Sequence, residues 1–133
     1  MRKAELLAEQ ERLLQRAKEL AQQHWGVEYT GTFRLLTYRW ARRQAAFAFS
    51  TDGSVQEIRM SAPTNTFLSA EQIEGNLLHE LVHWRIWSLG LPCGDGEPEF
   101  VAEALRVGAS FSQTEKAQKA YEKYVNEAGG IPV

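Results

Sequence analysis

Five residues constrain this chain more than any others: His79-Glu80-Leu81-Val82-His83, an H-E-x-x-H motif inside an apolar run. Residues four apart lie one above the other on a helix face, so both imidazoles can reach a single metal ion. The glutamate between them sits where a carboxylate can take a proton from metal-bound water. Zinc-dependent peptide hydrolysis uses this arrangement, with His79 and His83 as zinc ligands and Glu80 as general base. Chance alone would place the pattern in roughly a few chains per thousand of this length. Two incidental helix histidines are therefore the weaker reading unless the surroundings support it.

The surroundings favour a helix. Ser69-Ala70-Glu71-Gln72 is a capping-box start, and Ile73, Leu77, Leu78, Leu81, Val82, Ile86 and Leu89 follow at helical spacing. Gly90 and Pro92 supply the stop. The motif residues are expected along the border of the apolar stripe, where a cleft can form.

Residues 3–24 carry Leu6, Leu7, Leu13, Leu14, Ala17 and Leu20 among charged residues, an amphipathic helix ended by Trp25-Gly26. Three strand-like runs follow, Thr32 to Trp40, Gln44 to Ser50 and Ser54 to Met60, with Thr51-Asp52-Gly53-Ser54 as a hairpin turn. Past the motif, Glu97-Pro98-Glu99 opens another helix, and Thr114 to Glu127 reads as a last, polar one. The expectation is one α+β domain over residues 1–133. It comprises an N-terminal helix, a small three-stranded antiparallel sheet, the motif helix and two C-terminal helices.

Composition narrows the function classes. The 133 residues are 44% hydrophobic and 24% charged with a net charge of −2, so no global basic field drives nucleic-acid binding. No apolar stretch approaches the ~20 residues of a membrane span, and Met1-Arg2-Lys3-Ala4-Glu5 lacks the apolar core of a signal peptide. One cysteine, Cys93, excludes an intrachain disulfide and fits a reducing, cytoplasmic setting. Arg34, Arg39, Arg42 and Arg43 with Tyr38 and Trp40 form a local basic and aromatic patch. Its two readings are a nucleic-acid contact and, more often, a solvated strand edge protected by charge.

Trp40 and its neighbouring arginines, the strand pair, Ile58-Arg59-Met60-Ser61 and Leu77-Leu78-His79-Glu80-Leu81-Val82-His83 together resemble the SprT-like family, over about residues 8 to 111. The resemblance implies a minimal zincin-like domain, a bound Zn2+, a protein or peptide substrate and, in the best-known eukaryotic branch, action on proteins crosslinked to DNA. It also implies a third histidine a dozen or so residues past the motif, four or five before an aromatic. This chain departs there. Its remaining histidine is His24, and the slot holds Gly94-Asp95-Gly96-Glu97-Pro98-Glu99-Phe100. Asp95 stands 12 residues after His83 and five before Phe100, and an aspartate oxygen is a proper zinc ligand. Glu97, Glu103 at the glutamate-zincin spacing, and the Cys93 thiol are rivals for that place, while Glu99 suits a role in orienting a ligand histidine. A metal-stabilised adaptor that binds DNA or protein without cleaving it is the alternative to a peptidase.

Overall fold

The computed structural model describes residues 2–110 and 122–123. Its elements run α1 (Lys3–Trp25), β1 (Thr32–Leu36), β2 (Ala45–Phe49), β3 (Gln56–Ser61), α2 (Ala62–Asn65), α3 (Ala70–Ser88) and α4 (Pro98–Val107). Among the described residues, α1–α4 and a three-stranded sheet make a mixed α and β structure, compatible with the α+β expectation. The expected helix from Thr114 to Glu127 lies outside the described residues except for Glu122 and Lys123, which are helical. Among the described residues no helix is long and apolar enough to cross a membrane. The chain divides into two compact units, Met1–Leu81 and Val82–Val133, the division falling inside the continuous helix α3.

In the first unit, α1 turns Leu13, Ala17, Leu20 and Ala21 inward, and Gly26 ends it in the left-handed conformation that glycine adopts without steric cost. Strand β1 alternates strictly, with Phe33 and Leu35 buried and Thr32 and Arg34 exposed. The sheet is not antiparallel as expected. Its order is β1-β3-β2, with β1 parallel to β3 and β2 antiparallel to β3. Residues 37–44 explain the difference, because side chains at the end of β3 hold them. Ser61 Oγ donates to the Tyr38 carbonyl at 2.6 Å, and the Trp40 N–H donates to Thr64 Oγ1 at 2.9 Å. The chain leaving β1 is thereby kept at the far end of β3 and returns from there as β2, on the other side. The central place goes to the strand with fully buried Ile58 and Met60, which stand beside Phe33 and Leu35 of β1.

The β2–β3 hairpin turns where expected, with Gly53 at φ 77°. The Asp52 carboxylate accepts from the Ser50 and Ser54 hydroxyls and the Ser54 N–H, which holds its carboxyl down at about 2. Helix α2 was not anticipated; its four residues are too few to show a period. Its only sequence signals are Ser61, whose side chain caps the Thr64 N–H, and Pro63 in its first turn.

Helix α3 begins and ends as read. Ser69 Oγ accepts from the Gln72 N–H at 3.1 Å while Gln72 Oε1 accepts from the Ser69 N–H at 2.8 Å. At the other end the Gly90 N–H reaches the Trp87 carbonyl and the Leu91 N–H the Ile86 carbonyl, the paired bonds of a Schellman motif. Leu89, counted in the apolar stripe, lies in that turn and is exposed. In the second unit α4 packs Phe100, Val101 and Ala104 inward, with Glu97 at its N-cap and Gly108 at φ 77° beyond its end.

One position tests how tightly the first unit is built. A Cβ on Gly31 would fall on the Tyr29 hydroxyl and 2.7 Å from the Gln56 carbonyl oxygen, a backbone atom with little room to move. Gly31→Ala should therefore cost about 1–3 kcal/mol, measurable by denaturant unfolding. An unchanged midpoint would contradict this packing.

Candidate metal centre

Helix α3 carries His79, Glu80 and His83 within a little over one turn. His79 and Glu80 are buried, 8% and 6% exposed, whereas His83 is partly open. The motif thus sits deeper than a stripe border. One donor atom from each of the three lies within 4.8 Å of the others, and His79 Nε2 stands 3.8 Å from Glu80 Oε2. Among the described residues this is the group of three metal-ligating side chains so gathered.

The second unit fixes the His83 ring. Its Nδ1 meets the backbone carbonyl of Cys93 in a hydrogen bond. A carbonyl only accepts, so Nδ1 carries a proton and Nε2 is the nitrogen available to a metal. That Nε2 stands 2.7 Å from Asp95 Oδ1. The loop bearing Asp95 closes on itself through the Glu97 N–H, which donates to the Gly94 carbonyl at 3.0 Å. Gly94 is not sterically demanded, since an added Cβ would make only an ordinary 3.8 Å contact with Glu97. The rivals for the third position are placed otherwise. Glu97 occupies the N-cap of α4 without a side-chain capping bond. Glu103 forms a two-point ion pair with Arg106, one turn along the same helix. Glu99 is exposed in the first turn of α4. The Cys93 thiol is pushed above its ordinary pKa, chiefly by burial, which disfavours the thiolate that binds metals.

The acceptor that orients His83 is therefore a main-chain carbonyl, which sequence reasoning cannot single out because every residue has one. Phe100, whose ring stacks on His83, was visible only as an aromatic opening α4.

The gathered donors of His79, Glu80 and His83 could hold a metal ion, and imidazoles with a neighbouring carboxylate are ligand types that zinc accepts. Two atoms each about 2.0–2.2 Å from a tetrahedral ion stand about 3.4 Å apart. Admitting an ion between Asp95 and His83 asks the 2.7 Å pair to open by less than an ångström.

The basic patch does not lie on one hairpin: Arg34 is on β1, 4.0 Å from the Glu57 carboxylate, whereas Arg39, Arg42 and Arg43 are in the 37–44 connection. Arg39 lies over the Phe67 ring, 4.9 Å from its centroid, and Arg42 and Arg43 are exposed. With Trp40 and Ala41 those two arginines line a shallow hollow of about 350 Å³. Gln44 ties the end of this segment to α3 through Asn76, at 2.7 Å and three residues before His79.

No family model, curated protein or solved structure matches this chain.

If Asp95 is the third ligand, Asp95→Ala should lower zinc affinity steeply while Glu97→Ala and Glu103→Ala have little effect, as read by chelator competition. Asp95→His should retain zinc and hold it more tightly. A Glu103→Ala loss exceeding that of Asp95→Ala would move the third ligand to α4.

Proposed function

We propose that this chain is a zinc-dependent metallopeptidase of the SprT-like, zincin type, hydrolysing peptide bonds in protein substrates within the cytoplasm. The observation that carries the reading is the gathering of His79, Glu80 and His83 donors within 4.8 Å on one helix, with the His83 Nδ1 already held by the Cys93 carbonyl. His79, His83 and Asp95 would hold the ion. Zinc, when bound, supplies a Lewis acid that polarises the substrate carbonyl and brings a water's pKa towards neutrality. Glu80 takes the proton from the attacking water and later delivers it to the departing amine, as a general base and then a general acid. Glu80 is buried, 6% exposed, beside the two histidines. The Cys93 carbonyl keeps His83 in the Nδ1–H tautomer throughout.

A second reading has its own observation. Arg39, Arg42 and Arg43 are exposed around Trp40, a mixture that can track a phosphate backbone and stack a base. In that reading the domain is a metal-stabilised adaptor acting on DNA or a partner protein. In a combined form, DNA brings crosslinked or bound proteins to the peptidase site.

Purified protein should carry about one equivalent of zinc, and His79→Ala or His83→Ala should each remove most of it. Full zinc retention in the double variant would end the metal-site reading. Glu80→Gln should keep zinc and fold yet abolish peptide hydrolysis, because an amide cannot accept the water's proton. An equally active Glu80→Gln protein would sink the general-base role.

For the arginines, replacing Arg39, Arg42 and Arg43 together should weaken DNA binding and flatten its salt dependence by up to about three units of slope. Unchanged binding would leave the patch as a solvated loop.

A further inference from the structure

The edges of the His83 ring meet hydrogen-bonding partners, and one of its faces meets Phe100. The two ring centroids are 4.1 Å apart with planes inclined by 16°. Phe100 is only 1% exposed and is the third residue of α4, so the first turn of that helix, opened by Glu97 and Pro98, sets where its ring lies. The last torsion of a histidine is broad and roughly two-fold, so the helix backbone does not decide in which plane the imidazole lies. The bond from Nδ1 to the Cys93 carbonyl restricts that torsion, but hydrogen-bond geometry is tolerant and leaves a range of rotation about Cβ–Cγ. A flat, buried ring against the face removes that remaining rotation.

We propose that Phe100 is a positioning residue for the metal centre: by stacking, it holds the His83 imidazole in the plane that keeps Nε2 on the Asp95 side. The inference rests on the metal-site reading above and adds to it a residue that touches neither metal nor substrate. Two contacts at right angles, one in the ring plane and one on its face, define the orientation of a ligand more closely than either alone. A leucine of similar bulk fills the volume but offers no flat face. Core packing and ring positioning are therefore separable.

The test begins with the metal-free parent chain. Protons above an aromatic face are shifted upfield, so the carbon-bound ring protons of His83 should resonate upfield of their random-coil positions in NMR spectra. In Phe100→Leu that shift should vanish, and zinc affinity, read by competition with a chromophoric chelator, should fall about tenfold or more. Phe33→Leu, an equally conservative change at a buried β1 position, serves as the control for a general core defect and should leave zinc affinity unchanged. Phe100→Tyr, which keeps the flat ring, should stay near the parent; if Phe100→Leu does not fold, Phe100→Met, which fills the space without a flat face, takes its place with the same expected loss. Parent-like affinity in Phe100→Leu, an equal loss in Phe33→Leu, or unshifted His83 protons in the parent would each overturn the assignment. A parent that shows the upfield shift but binds no zinc would overturn the metal reading itself, and the role of Phe100 with it, so the two failures are told apart.

Discussion

Burying polar groups on a helix face is the constraint around which this structure is arranged. His79 and Glu80 are nearly out of solvent on a stretch of α3 that also buries Leu77, Leu78, Leu81, Val82 and Trp84. Such groups cost a few kcal/mol each when left without partners, far more than an ordinary surface helix would tolerate. His79 Nε2 stands 3.8 Å from Glu80 Oε2, and His83 has the Cys93 carbonyl and the Asp95 carboxylate against its two ring nitrogens. The same contacts leave the donors gathered as a cation would need them.

The sheet and the site are linked through one connection. Ser61 and Thr64, at the junction of β3 and α2, hold residues 37–44 through the Tyr38 carbonyl and the Trp40 N–H. Gln44 then bonds Asn76 on α3, one turn ahead of the motif. A segment that would otherwise be an open loop thus becomes a strut between the central strand and the beginning of the site helix. It carries its arginines outward because its backbone is already engaged inward.

What could be read from the sequence followed from local rules. The start and stop of α3, the Gly53 turn, the ending of α1 at Gly26 and the opening of α4 at Pro98 each depend on a few neighbouring residues, and each lies where expected. The strand order did not follow, since the bonds that send 37–44 to the end of β3 join residues more than twenty apart. The depth of His79 and Glu80 was underestimated for a similar reason. Periodicity gives the faces of a helix but not how much of them the rest of the chain covers. At His83, the proximity of Asp95 was expected because Asp95 fills the slot that the family resemblance places past the motif. The Cys93 carbonyl was not, because the main chain leaves no mark in composition.

A small feature of β1 gives the sheet a sidedness. The Leu35 N–H, on the side of β1 away from β3, donates to the Gln10 side chain of α1 at 2.9 Å. A helix glutamine thus takes the place of a neighbouring strand and blunts that margin as a template for pairing with another chain. Across the sheet β2 is the other margin, with Phe49 exposed near its end. The two margins of the sheet are therefore unlike: one is bonded by a helix side chain, the other ends on an exposed aromatic ring.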